Sequence, residues 1–568
     1  MKNETNKGIT LIALVITIII LLILAGVSIA TLTGENGLLT KVREAGNESI
    51  KGMEREQIAI AYISIISEQK EIGSENLENR LKADGAKVLE VGEIEEGLRI
   101  KFETGNNYYV DKNGNITEYI LTLPLIPEIA QKPEEEIIEQ FNKANGVIEI
   151  AWIDINNNVI KNPMRITKSE LGGMTPVKWE GNAGNYEEKN TEVTDSNWYK
   201  YEEQKGDTKT EGTSRWANAK AKSGENEAYF VWIPRYSYKI IYFDNEENKE
   251  NYRKDNTKQT GIIGYSTAYG MIDVRGEIPK IVEGTKPVNI EGKVETEGYK
   301  DYIVHPGFEF GGSKKGIWVG KYEPSGTIGT VTVVPNVESL RNQTLSNMHT
   351  ASQALKTTYG LPGDTHIMKN IEWGAVSYLA ESKYGRNGTE ITINNSMYIT
   401  GNAGDSVSAS KVEGVANSNA YDTGKGVLAS TTGNIYGIYD MSGGAYEYVA
   451  AYLNNSQLQS NTNITDLRNA VAENPEYADI YTVNEDTQEK NYQESRKMYG
   501  DAIQETSTSY IDSTSWNLDY SHFPHSTNIT FIRGGGYFDE TNAGWASYVL
   551  GAGGINSARS FRVVYVAN

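Results

Sequence analysis

The sequence predicts an α+β chain in two parts: a long N-terminal membrane helix carrying a small antiparallel-sheet head, then a large mixed domain with much irregular structure. Three observations predict it. Ile9–Leu32 holds no charge; a helical stretch and several strand-like runs follow before residue 122; beyond residue 145 the composition shifts to Gly, Asn, Ser, Thr, Tyr and Trp. At 568 residues the chain is also too long for one hydrophobic core.

The uncharged run comes first. Its 24 residues span about 36 Å as a helix, enough to cross a hydrocarbon core of about 30 Å. It is longer than the apolar region of a secretory signal peptide. Lys2 and Lys7 precede it, which places residues 1–8 in the cytoplasm and the bulk of the chain outside as a single-pass cell-membrane protein. From Glu54 to Glu71, Ile58, Ala61, Tyr62, Ile65 and Ile66 recur at helical spacing and predict one apolar face, with a bend or break at Gly34, Gly37 or Gly46. Strand-like runs follow at Lys87–Val91, Leu98–Phe102, Tyr108–Val110 and Ile116–Leu121, and Asn113-Gly114 marks a tight hairpin between the last two. Asp111, Asn113 and Asn115 alternate like a calcium loop, but Thr122 stands where the bidentate Glu belongs, so a turn is expected. The three prolines and charge cluster of Leu123–Glu136 read as a stiff linker. The predicted organisation is a leader over 1–8, membrane helix and head over 9–122, linker over 123–144 and outer domain over 145–568.

Composition narrows the functions. A net charge of −21 repels phosphate backbones, so nucleic acid is not an expected partner. Absence of cysteine removes disulfides, thiolate metal sites and thiol nucleophiles. The five histidines show no metal-ligand spacing; His522 and His525 are separated by Phe523-Pro524, which no helix tolerates. No Ser lies in a Gly-x-Ser-x-Gly elbow. Asp440 and Glu447, seven apart, could face one cleft, although paired carboxylates are common in an acidic chain.

Two resemblances add to this reading. Lys7-Gly8 followed by Ile9-Thr10-Leu11-Ile12 resembles the prepilin leader of type IV pilins and type II secretion pseudopilins. That implies cleavage after Gly8 by a prepilin peptidase, N-methylation of Ile9 and packing with other pilin-like subunits. The fifth mature position is Ala13 instead of the family's Glu, so the amine it would neutralise stays uncompensated; this suits a minor tip subunit better than a repeating shaft subunit. In the outer domain, Gly316–Glu323, Met368–Leu379, Asp440-Met441-Ser442-Gly443-Gly444-Ala445-Tyr446-Glu447-Tyr448, Arg533-Gly534-Gly535-Gly536-Tyr537 and Ser560-Phe561-Arg562 resemble, in order, the formylglycine-generating-enzyme (sulfatase-modifying factor) family. The resemblance runs from about Tyr229 to Val566, more than half the chain, and implies a variant of the C-type-lectin fold. Beyond residue 145 helical periodicity is nearly absent apart from Glu372–Glu381, which also fits the family's short helix after a Trp; burial of Arg533 and Arg562 in such a fold would tie loops to carbonyls or to Glu447.

The family's oxidising members need a cysteine pair, which this chain lacks, so no enzyme activity is expected. No cofactor is expected either. Of two calcium ligands the resemblance implies, Glu447 is kept and Gly444 replaces the other, which weakens that site without removing it. By the same resemblance the outer loops after the last motifs carry the ligand surface. Tyr537, Asp539, Asn542, Trp545, Tyr548 and Asn556 are the candidates, mixing rigid rings with adaptable amides; Trp545 and Tyr548 read equally well as core. Two polar insertions, Thr400–Gly426 and Asn454–Ser509, are functional loops or mobile ones. The expected function is a membrane-anchored or filament-tip surface protein presenting a non-catalytic head to a glycan or protein. Alternatives are a receptor varied by a diversity-generating retroelement, and a purely structural minor pseudopilin.

Overall fold

The computed structural model describes residues 38–118, 146–242 and 302–568, apart from short breaks, and a few residues between 249 and 263. The leader residues Gly8 and Ile9, the uncharged run and the linker lie outside the described residues. Among the described residues no helix is long and apolar enough to cross a membrane. The chain divides into Met1–Pro124 and Leu125–Asn568, each with its own core.

In the first unit a 30-residue helix, α1 (Leu38–Ser67), runs unbroken through Gly46. It buries Ile58, Ala61, Tyr62 and Ile65, as their spacing predicts, but Ile66 is 54% exposed because one more residue turns it about 100° off that face. Met53, Ile60 and Ile63 lie further round and are exposed too, so α1 carries a second apolar stripe. A short helix, α2 (Ser74–Ala83), packs on the first through Leu77 and Leu81, one turn apart. Four antiparallel strands follow in sequence order: β1 (Val88–Ile94), β2 (Gly97–Phe102), β3 (Asn107–Asp111) and β4 (Ile116–Glu118). The β3–β4 connection is a turn. Gly114, at φ 83°, donates its N–H to the Asp111 carbonyl at 3.0 Å, and the Asp111 carboxylate accepts from Asn115 N and Nδ2 at 2.8 and 2.7 Å.

The second unit is mixed α and β with several sheets. β5 (Gly146–Trp152) pairs antiparallel with β10 (Tyr236–Tyr242) over seven residues. A seven-stranded sheet contains β6 (Thr175–Glu180), β7 (Glu187–Asn190), β8 (Asn218–Ser223), β9 (Asn226–Pro234), β11 (Gly316–Gly320), β12 (Gly363–Ile367) and β18 (Val563–Ala567), in the order β12-β18-β11-β9-β8-β6-β7. Every residue of β11 is buried, which explains its unalternating Gly-Ile-Trp-Val-Gly run. A second sheet is centred on β13 (Tyr446–Asn454). It pairs with β15 (Thr530–Arg533) on one side and, on the other, with β17 (Arg559–Phe561) and then β14 (Asp479–Thr482). β16 (Tyr548–Gly551) extends the sheet beyond β15 and pairs in parallel with the short strand Ser521–His522.

Two helices lie in this unit's core. α4 (Asn370–Glu381) contains the expected helix and is buried along its whole length. α3 (Leu345–Tyr359) goes against the expectation of little further helix. Its buried positions Leu345, Met348, Ala351, Ser352 and Leu355 keep helical spacing, but the intervening residues are largely Ser, Thr, Asn and Gln. Thr344 caps it by accepting from Asn347 N at 3.1 Å, and Gly360 ends it at φ 65°. The insertion 454–509 is built into the core as well: it contributes β14 and buries Asp501 and Glu505.

Candidate ligand groove

The two arginines join the site's elements from below. Arg562 sends Nε to Glu447 Oε2 at 3.0 Å, Nη1 to the Gly320 carbonyl at 2.8 Å and Nη2 to the Tyr439 carbonyl at 2.9 Å; Nη2 also donates to Glu447 Oε1. Arg533 ties the Asp501, Ala502 and Trp545 carbonyls at 3.0, 2.9 and 3.3 Å. The turn after β15 needs its glycines. Gly534 and Gly535 sit at φ 84° and 71°, and a Cβ on Gly535 would lie 2.5 Å from Ala543 Cα.

Of the six predicted ligand residues, three are core. Trp545 and Tyr548 are 1% and 0% exposed. Trp545 packs edge-on to Trp516, and the Tyr548 hydroxyl donates to the Ser509 carbonyl at 2.9 Å. Their large apolar area is worth more buried than displayed. Tyr537 is 8% exposed, wedged between Tyr398 and Phe538 with ring centroids at 4.8 and 5.2 Å. Asp539, Asn542 and Asn556 do reach solvent, but each shapes a turn: Asp539 accepts from Gly536 N at 2.8 Å, Asn542 Oδ1 from the Ser513 hydroxyl at 2.8 Å, and Asn556 Oδ1 from Ala558 N at 2.8 Å.

An open groove of about 220 Å³ lies on the outer face of the second sheet. Its lining comes from chain segments far apart: Tyr446 on β13, Val549 and Leu550 on β16, Tyr520 and His522 beside them, and Arg559 opening β17. These six are half-buried, and the seventh lining residue, Ile532 on β15, is fully buried. Phe538, 36% exposed, stands against Tyr446 at 5.7 Å, so a line of rings runs Tyr398, Tyr537, Phe538, Tyr446 toward the groove. Tyr446 is hydrogen-bonded to the Asp539 carboxylate; burial, and then Asp539, push the Tyr446 hydroxyl well up. Burial also raises Asp539, while burial and neighbouring His525 lower His522 toward the neutral imidazole. Val549, Leu550 and Arg559 lie in the stretch Tyr537–Arg559 that the sequence assigns to the ligand surface, and Tyr446 lies in a motif, but none of the four, nor Tyr520, is among the predicted ligand residues, and His522 is weighed in the sequence only as a metal ligand.

Asp440 and Glu447 do not face a cleft: they are 1% and 0% exposed. Asp440 accepts from Asn394 Nδ2 at 2.8 Å and from Gly401 N at 2.9 Å. Glu447 engages Arg562 with both oxygens. Nor do these residues fit calcium. Both Glu447 oxygens accept from the Arg562 guanidinium, so a cation there would sit against a positive charge, and a side chain at Gly444 (φ 71°) would put its Cβ 2.6 Å from Glu323 Oε1. Among the described residues no three His, Asp or Glu side chains converge to hold a metal. No family model matches the chain, and no curated protein matches its sequence.

Proposed function

We propose that this is a cell-surface protein, anchored by a pilin-like N-terminus, whose larger unit has a C-type-lectin-like fold and binds an extracellular ligand without transforming it. The observation that carries this reading is the ring-lined groove, which brings Tyr446, Tyr520, His522 and Arg559 together in an open concavity, while Asp440 and Glu447 are buried. Half-buried aromatic residues around a concavity are what recognition surfaces use, since rings supply contact area at little entropic cost. The exposed apolar stripe of α1 (Met53, Ile60, Ile63) supports the pilin-like part, because a helix with two apolar faces has a second surface to cover.

Two measurements test it. Mass spectrometry of the mature N-terminus should find a methylated Ile9; an intact Met1 would reduce the segment to an ordinary anchor. The detergent-solubilised full chain should bind on a glycan and protein array, and Phe538→Ala with Tyr520→Ala should weaken that binding at least tenfold while the melting temperature holds. Binding untouched by both changes would remove the groove from the function.

A further inference from the structure

We propose that the groove selects an acidic saccharide, holding its carboxylate or sulfate on Arg559 and its ring against Tyr446 and Tyr520; this rests on the binding function proposed above. Arg559 is the reason. Its Nη1 donates to the Tyr448 hydroxyl at 2.6 Å, and its guanidinium lies 5.3 Å from the Tyr448 ring centre. Among the described residues it makes no ion pair with any carboxylate, although acidic residues outnumber basic ones 75 to 54. Two buried arginines differ: Arg235 pairs with Glu309 at 2.9 Å, and Arg562 takes both oxygens of Glu447; Arg533, also without an ion pair, is instead filled by carbonyls, which Arg559 is not. Close by, Asp539 accepts from Tyr446 and from Gly536 N and makes no ion pair with Arg559. A half-buried guanidinium that donates from Nη1 to Tyr448 has Nε and Nη2 left to donate to an anion, and that fork matches two oxygens of a carboxylate or of a sulfate.

The groove's form favours a sugar over a peptide strand. Peptides that add to sheets need an unpaired edge. Here the floor is a sheet face: the lining side chains come from β13, β15, β16 and β17 together, not from the edge of one strand, and β16 is paired with β15 along its length and with Ser521 at Tyr548. A volume of about 220 Å³ is also below the ~300–1,000 Å³ of pockets for larger ligands, and suits one or two sugar rings. Tyr446, Tyr520 and His522 supply rings to the lining for contact with sugar C–H groups, and among the described lining residues Arg559 alone is an Arg or Lys.

The test uses the full chain in detergent micelles and matched probes: 3′-sialyllactose, its methyl ester, 3′-sulfolactose and lactose. An acidic probe should bind at least tenfold more tightly than ester and lactose. The preference should vanish in Arg559→Gln, weaken in Arg559→Lys, which keeps the charge but loses the fork, and diminish as salt rises. Equal binding of acid and ester by the native chain, a comparison that needs no variant, would overturn the assignment and leave the binding function standing. So would an acid preference that survives in folded Arg559→Gln. Failure of every probe, together with a blank array, would overturn both.

Discussion

Replacing Arg562 with methionine is expected to destabilise the larger unit by about 3–5 kcal/mol, because Glu447 would be left buried without its counter-charge. Denaturant titration reads this as a lower midpoint. The Glu447 carboxyl, already pushed up to about 7 by burial against the pull of Arg562, would rise further. Gly444→Asn, which restores a calcium-ligand type, should give no calcium affinity by calorimetry and should cost about 1–3 kcal/mol. Asparagine tolerates the left-handed backbone, so the cost is the collision with Glu323. At this scale the sequence was informative where chemistry leaves few choices: a glycine run allows a crowded turn that no side chain would fit, and an arginine among apolar motifs must be tied to carbonyls or a carboxylate once it is buried. It was uninformative for Trp545 and Tyr548, since a large ring with a polar tip serves a core and a surface equally and only the packing around it decides.

Ile60→Asp and Ile63→Asp test α1 as an element. Both positions are exposed in the first unit, at 52% and 64%, so unfolding free energy should change by less than about 0.5 kcal/mol. If the pilin-like reading proposed above holds, assembly with other pilin-like subunits, read by fractionation and blotting, should be lost. Ile65→Asp, on the buried face, should instead unfold the unit. The strands β1 to β4 were legible because alternation and an Asn-Gly turn act locally. α3 was not: its helical spacing is carried by a few apolar positions among Ser, Thr and Asn, residues that favour turns and caps in isolation. The groove escaped for a related reason, since Tyr446, Tyr520 and Arg559 meet through strand pairing across distant parts of the chain and no local pattern connects them.

The whole molecule should be most stable in mild acid, with a melting temperature highest near about pH 5 and falling steadily to pH 9. Burial raises Asp501 to about 7, so the folded state keeps a proton that the unfolded chain releases near pH 4, and stability falls as pH rises between these values. Burial alone would lower His366, but Glu372 and Asp364 at 3.0 and 2.8 Å raise it to about 9. Its contribution is complete below about 6.5 and is lost as pH climbs through 9. Asp364 and Glu372 are lowered despite burial, so their contribution exists above about pH 4 and disappears below it. Calorimetry across pH 3 to 9 checks the shape; a maximum at pH 8 would contradict it. A last consequence concerns mechanics. Under the anchored reading proposed above, tension on the chain before Gly146 would meet β5, whose seven pairings with β10 run its full length. Were that pull directed along β5, those rungs would share the load at once instead of parting one after another, and a head tugged by flow would yield elsewhere before this strand slid free.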